Sequence, residues 1–117
     1  MSAAKSRASV STRGPVLIIG TGLLGTSLAL ALRTADVEVQ LSDTSPTSLA
    51  LARDMGAGTP HDKHSPEPQI VVVATPPDVT ADVVVAQLSA HPNAVVTDVA
   101  SVKERVVTEV RSRAGAQ

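Results

Sequence analysis

The chain has 117 residues, enough for a single domain with a core of its own, and its formal net charge is −1 at pH 7. This near-neutral charge gives no sign of a nucleic-acid partner, and the complete lack of Phe, Tyr and Trp removes the rings on which single-stranded nucleic acids stack. Because cysteine is also absent, a disulfide framework and a thiolate metal site are excluded.

The N-terminal residues 1–14 show no hydrophobic periodicity, and we expect a disordered tail before one domain over residues 15–117. The apolar stretch VLIIGTGLLGTSLALAL, Val16 to Leu32, follows basic residues of this tail, as a secretory segment does. It is at the short limit for a transmembrane helix. Glycine placement argues against both, and export cleavage would remove the first strand, so we expect neither secretion nor membrane contact but a cytoplasmic protein.

The glycines of this stretch follow the pattern G-x-G-x-x-G at Gly20, Gly22 and Gly25. A buried strand over residues 15–20 and a helix over residues 23–34 flank the pattern, as in dinucleotide-binding proteins. In such a turn the first glycine makes the bend, the second lets a pyrophosphate approach, and the third lets helix and strand pack closely. We expect the three glycines, with Leu23 and Leu24 at the helix N-terminus, to bind the cofactor.

Strands and helices are predicted to alternate along the rest of the chain. Strands are expected over residues 37–42, 70–74 and 94–99, with a very short one near Ala57, and helices over residues 45–55 and 75–90. Thr75 to Asp78 is interpreted as a capping box with proline in the first turn, and a last helix is expected from near Ser101, with Val102, Val106 and Val110 on one face. Alternation predicts an α/β fold with a doubly wound parallel sheet, the Rossmann NAD(P)-binding fold.

An acid completes the expected nucleotide site. Asp43 lies about 20 residues beyond the glycine turn, where a carboxylate accepts hydrogen bonds from the adenosine ribose. The same charge repels a 2′-phosphate, and the next residues include no Arg or Lys, so NAD is predicted over NADP. A methyltransferase is the nearest rival, but its glycine turn is usually the shorter G-x-G-x-G. Asp43 as an ordinary turn acid is the other alternative.

His61 and His64 stand in the sequence HDKH, with the spacing of two metal ligands on a helix. Prolines flank this stretch and no third ligand is near, so we expect a solvated loop and no metal site.

Three segments together resemble the nucleotide-binding half of prephenate dehydrogenases and their arogenate-using relatives: VLIIGTGLLGTSLALAL, IVVVATPP and TDVASVKERV. The third, with D-x-x-S-V-K after a strand, is the most specific, and the resemblance covers about 100 residues. It implies an oxidoreductase of tyrosine biosynthesis that uses NAD to convert prephenate to 4-hydroxyphenylpyruvate with loss of carbon dioxide.

The resemblance also implies roles for individual residues. Ser101 would be catalytic, lying beside the nicotinamide and bonding the substrate hydroxyl, while Asp98 and Lys103 would shape the same junction. Thr75 and Pro76 would contact the nicotinamide-side ribose, and Pro77 and Asp98 belong to the same cofactor-binding set. As an alternative, Ser101 is only the N-cap of a capping box with Glu104.

The chain departs from the family in its catalytic histidine, which belongs to an H-P-x-A-G segment that would follow Gln117. His91 imitates this motif but precedes a strand, at the sheet end opposite the ligand crevice, so it is rejected as the base. The helical C-terminal domain, which binds prephenate or arogenate and forms the homodimer, is also missing. We therefore expect a cofactor domain that binds NAD without turning over prephenate, with an exposed apolar patch and a tendency to self-associate.

Two other functions stay open at this point. The chain could be the cofactor domain of another NAD-dependent hydroxyacid or imine dehydrogenase, or a non-catalytic NAD-binding module whose output is self-association.

Overall fold

The computed structural model describes residues 14–102, 108, 111 and 112, and in it strands and helices alternate. In chain order the elements are β1 (Val16–Ile19), α1 (Leu23–Thr34), β2 (Val39–Ser42), α2 (Pro46–Asp54), β3 (Thr59–Pro60), β4 (Ile70–Val73), α3 (Pro77–Ala90) and β5 (Val95–Asp98). Residues 99–102 are helical. Most of the expected tail and the positions Lys103, Glu104, Val106 and Val110 lie outside the described residues.

The five strands form one parallel sheet in the order β3-β2-β1-β4-β5, which confirms the doubly wound prediction. From β1 the chain moves outward to β2 and β3, and then returns to β4 on the other side of β1. The direction of winding therefore reverses between β1 and β4. In parallel sheets ligands bind at the carboxyl ends of the strands that flank such a point.

The two central strands, β1 and β4, are covered on both faces, which is why they are continuous apolar runs. Val16, Ile18 and Leu41 point to one face and belong to a core that includes Ala29 of α1 and Ala52 of α2. The opposite face carries a smaller cluster of Leu17, Val71 and Val73, against which Val83 and Val84 of α3 pack. Of the helices that the structure describes, none is both long and apolar enough to cross a membrane.

The connection from β3 to β4, residues 61–69, contains no helix. A side chain on β2 anchors this segment: Gln40 is 1% exposed, donates to the carbonyl of Pro66 at 2.8 Å and lies 2.8 Å from Nδ1 of His61. Gln40 pairs in register with Leu17, so it lies on the face of the smaller core. His61 and His64 lie in a loop as expected, and His64 is exposed, but His61 is half-buried and hydrogen-bonded rather than fully solvated.

Two predicted helix starts are wrong. The N-cap of α3 is Pro76, without a side-chain cap, rather than Thr75. Because Pro76 precedes Pro77, its backbone is kept out of the helical region and the helix can begin only at Pro77. The last helix begins at residue 99, and the amide of Ser101 donates to Oδ1 of Asp98 at 2.7 Å. Asp98, not Ser101, is thus the capping side chain. The short strand expected near Ala57 forms at Thr59–Pro60.

Candidate functional site

The glycine turn has the geometry that its spacing predicts. Gly20 has a φ of 102°, and a Cβ placed on it would lie 2.5 Å from the carbonyl oxygen of Ala74 at the end of β4. A Cβ on Gly25 would overlap with the carbonyl oxygen of Gly20. Side chains at these two positions would therefore collide with the chain itself, and both glycines serve the packing of the turn.

Gly22 differs from the other two glycines, because a Cβ there would meet no atom within 4 Å. It is the N-cap residue of α1 and offers no side chain to cap the helix. The first-turn amides and the positive end of the helix dipole therefore remain available to an anion. Leu23 and Leu24 follow with exposed fractions of 84% and 55%, so this corner of the sheet is open to a ligand.

Asp43, at the end of β2, lies beside the same turn. Its Oδ2 accepts hydrogen bonds from the amide of Thr21 at 2.6 Å and from the hydroxyl of Thr21 at 2.7 Å. Its Oδ1 accepts a hydrogen bond from the amide of Ser45 at 2.8 Å. The carboxylate is thereby held against Thr21, the residue that precedes the N-cap of α1.

The Asp43 carboxyl is kept ionised by these donors. Partial burial by itself would raise its pKa, but hydrogen bonds from the amides of Ser45, Thr21 and Thr44 and from the Thr21 hydroxyl outweigh burial and hold the pKa below its ordinary 3.8. A fixed negative charge therefore faces any ligand placed beyond the end of β2.

A cleft of about 1080 Å³ lies on the other side of the glycine turn, at the carboxyl ends of β4 and β5. Leu24 of α1 belongs to its wall, as do Thr75, Pro77 and Asp98. The lining is mainly apolar, with Val73, Val84 and Val99 among its residues. The structure thus brings four predicted site residues together. Pro76 and Ser101, both exposed, are not part of this wall.

Asp98 and Ser101 interact at the edge of this cleft. Hydrogen bonds from the hydroxyl and the amide of Ser101 hold the pKa of the Asp98 carboxyl below its ordinary 3.8, although slight burial acts in the opposite sense. The amide of Ser101 donates to Oδ1 of Asp98 at 2.7 Å, and the Ser101 hydroxyl lies beside the same carboxylate, where its oxygen can accept a hydrogen bond.

His91 lies at the opposite edge of the sheet, before β5. His91 is 8% exposed and precedes β5, and its Nδ1 is 2.9 Å from Oε1 of Glu67 in the β3–β4 connection. Its ring packs against that of His61 in a T-shaped, edge-to-face arrangement, with the ring centroids 5.7 Å apart. Within the part of the chain that the structure describes, no cluster of three or more His, Cys, Asp or Glu residues is arranged to hold a metal ion.

The chain is similar to known proteins both in sequence and in structure. A sequence profile for the family described as "Prephenate dehydrogenase, nucleotide-binding domain" matches residues 28–117. A protein named "Probable prephenate dehydrogenase NovF", from Streptomyces niveus, is 44% identical over 88 residues, which are 74% of this chain and 24% of that protein. The matched profile begins after the glycine turn, so the turn is an independent observation.

The structure is similar to a crystal structure of prephenate dehydrogenase from A. aeolicus in complex with hydroxyphenyl propionate and NAD+. The TM-score is 0.65 and the sequence identity 27%, over 77% of this chain and 34% of that chain. The chain thus spans about a quarter of the length of the curated relative and about a third of the crystallised one.

Proposed function

Because this chain belongs to the family of prephenate dehydrogenase nucleotide-binding domains, we propose that it binds NAD across the carboxyl edge of its sheet. The observation that carries the proposal is the open position at Gly22 beside the Asp43 carboxylate. A diphosphate fits this position, where the amides of α1 are exposed and no Cβ intervenes. The crystallised relative, a complex with NAD+, supports the choice of this dinucleotide.

The two ends of the cofactor are assigned from the chemistry on either side of the turn. The adenosine ribose would bind Asp43, whose ionised carboxylate accepts hydrogen bonds from a diol and repels a 2′-phosphate. The nicotinamide half would occupy the cleft whose wall includes Leu24, Thr75, Pro77 and Asp98. A mainly apolar wall suits the flat faces of the nicotinamide ring and excludes water from the hydride path.

We propose that the full-length enzyme oxidises prephenate, or its relative arogenate, with loss of carbon dioxide. NAD supplies a hydride acceptor when bound. The residues of this chain position the ring against the substrate carbon, and the oxygen of Ser101 accepts a hydrogen bond from the substrate hydroxyl while the Ser101 hydroxyl keeps its own proton beside the ionised Asp98 carboxylate. The hydroxyl proton must then pass to a base outside the described residues.

The remaining parts of the proposal concern the whole protein. The resemblance to biosynthetic dehydrogenases supports a cytoplasmic homodimer whose substrate site and catalytic base belong to a further, helical domain. Residues 1–117 alone are then expected to bind NAD and to produce no NADH from prephenate. Robust prephenate-dependent NADH formation by this chain would contradict the assignment of the substrate site and the catalytic base to a further domain.

The cofactor site can be tested by titration with NAD. Since the chain has no Trp or Tyr, calorimetry or NMR is the appropriate method. We expect Asp43→Ala to weaken NAD binding about tenfold or more, as expected for loss of about 1.4 kcal/mol or more. Asp54→Ala is the matched control, because it removes the same charge from an exposed position at the end of α2. Equal affinities for the two variants would overturn the assignment of Asp43.

A further inference from the structure

Thr21, the residue between the first two glycines, has all of its polar groups engaged. Its side chain and backbone are buried, with 5% of the residue exposed. The amide and the hydroxyl both donate to Oδ2 of Asp43, while the carbonyl accepts a hydrogen bond from the hydroxyl of Thr26 at 3.0 Å. Since Thr26 lies in α1, Thr21 connects the helix, the glycine turn and the carboxylate.

We propose that Thr21 is a positioning residue that fixes the Asp43 carboxylate for recognition of the adenosine ribose, and thereby sharpens the preference for NAD over NADP. This inference rests on the proposed function given above. It concerns a residue that the G-x-G-x-x-G pattern leaves unspecified, so neither the motif nor the family match assigns it this role.

Hydrogen-bond capacity explains how the arrangement works. A carboxylate oxygen accepts about two hydrogen bonds, and Thr21 supplies two to Oδ2. Oδ1 receives the amide of Ser45 and keeps capacity for a ribose hydroxyl. Without the Thr21 hydroxyl, Oδ2 would lose one of its two donors and the carboxylate would be held by backbone amides alone. Its rotation about the terminal torsion, which is broad in Asp, would then be less restrained.

Fixing the carboxylate affects NADP more than NAD. A carboxylate that is less restrained can turn away from a 2′-phosphate and repel it less, whereas one held by both Thr21 donors on Oδ2 stays in place. NAD affinity also falls when the carboxylate can rotate, because binding of the ribose must then fix the orientation of the carboxylate that accepts its hydrogen bonds. Loss of the Thr21 hydroxyl should therefore lower NAD affinity and reduce the discrimination between the two dinucleotides.

The test uses Thr21→Val in the 117-residue chain, since valine keeps the shape and removes the hydroxyl. The pKa of Asp43 is followed by carboxyl-carbon NMR, and NAD and NADP affinities by calorimetry. We expect the pKa of Asp43 to rise, NAD affinity to fall about fivefold, as for loss of about 1 kcal/mol, and the ratio of NADP to NAD dissociation constants to fall. Thr21→Ser should restore all three values.

Thr26→Val serves as the matched control. It removes the other side-chain hydrogen bond of the turn without touching Asp43, so a purely structural weakening of the turn would appear in both variants. The proposal requires that the pKa of Asp43 and the dinucleotide ratio change in Thr21→Val and not in Thr26→Val. If Thr21→Val does not fold, Thr21→Ala replaces it. This variant keeps the hydrogen bond from the backbone amide to Asp43 and places no methyl group beside the carboxylate.

Each outcome separates this inference from the proposed function. An unchanged Asp43 pKa in Thr21→Val, or a changed pKa with an unchanged dinucleotide ratio, overturns the positioning role. If Asp43→Ala leaves NAD affinity unchanged, the ribose assignment fails as well. If Asp43→Ala weakens NAD and Thr21→Val does not, the proposed function stands and only the inference falls.

Discussion

At the scale of single residues, the three glycines of the turn serve two different purposes. Gly20 and Gly25 are required by contacts within the chain, whereas Gly22 faces open space. The motif alone suggested this division, but only the structure separates a glycine needed for folding from one needed for a ligand. The difference can be measured by adding the same methyl group at each position.

We expect Gly25→Ala to lower the free energy of unfolding by about 1–3 kcal/mol, because its Cβ would overlap with the carbonyl of Gly20. Gly22→Ala should leave stability nearly unchanged and weaken NAD binding about tenfold, which corresponds to about 1.4 kcal/mol. Urea denaturation and NAD calorimetry distinguish the two effects. Full NAD affinity in Gly22→Ala would show that no ligand approaches the turn at this point.

Acid should weaken the fold through Asp43. Because the folded pKa of this carboxyl lies below the ordinary value of 3.8, the unfolded chain binds more protons in that range. The ionised carboxylate therefore stabilises the fold at all pH values above about 3.8, and this contribution is lost as the pH falls through the folded pKa.

Denaturation at a series of pH values should show a steeper loss of stability below pH 4 in the parent chain than in Asp43→Asn. Parallel curves would mean that the hydrogen bonds to Asp43 add nothing to stability.

The residues of the site differ in how far the sequence reveals them. Gly20, Gly22 and Asp43 follow a spacing with a physical meaning, and the structure brings them to one place. Thr21 stands at a position where many residues are accepted, so no pattern points to it. Its role depends on a contact between residues 22 positions apart, which only the folded chain brings together.

At the scale of elements, the sequence predicted every strand and helix of the described chain, and its errors lie at their ends. Two of these errors concern caps, where Thr75 and Ser101 were each expected to begin a helix. Several short polar residues near a helix start can serve as the N-cap, and which of them does so depends on where the preceding strand ends and on neighbouring prolines. Asp98 caps the last helix because β5 ends at Asp98, directly before the helix begins.

The β3–β4 connection was the least predictable element, because its order depends on one buried amide side chain. We expect Gln40→Leu to lower the free energy of unfolding by about 1–3 kcal/mol, since the carbonyl of Pro66 and the ring of His61 would lose their buried partner. Amide hydrogen exchange in residues 61–69 should accelerate more than exchange in β1.

Thr34→Val provides the control, because it removes an exposed hydrogen bond to the carbonyl of Leu30. Equal effects of the two substitutions would mean that Gln40 does not order the connection.

At the scale of the whole molecule, alternation of strands and helices sufficed to predict a parallel, doubly wound sheet. The order of strands was left open by the pattern, because it depends on where the chain crosses back over β1. The apolar surface that was expected also stays a prediction. Val85 and Leu88 on α3, and Val95 on β5, have exposed fractions of 64%, 51% and 64%.

We expect the chain to self-associate through this α3 surface at high concentration. The double substitution Val85→Lys and Leu88→Lys should abolish a concentration-dependent rise in sedimentation coefficient. Leu51→Lys with Met55→Lys is the matched control on α2, where the exposed fractions are similar, 61% and 60%. If the control suppresses association equally, the α3 surface has no special role, and a monodisperse parent chain would contradict the prediction altogether.

The anchored connection between β3 and β4 has one further consequence. It links two halves of the chain. The first half carries the glycine turn and Asp43, and the second half carries β4, α3 and β5. Lys63 lies exposed near its middle, with the Gln40 anchors at His61 and Pro66 on either side. A protease that cuts after Lys63 would thus leave two pieces joined by the β1–β4 ladder, a natural starting point for reassembly of the domain from separately expressed parts.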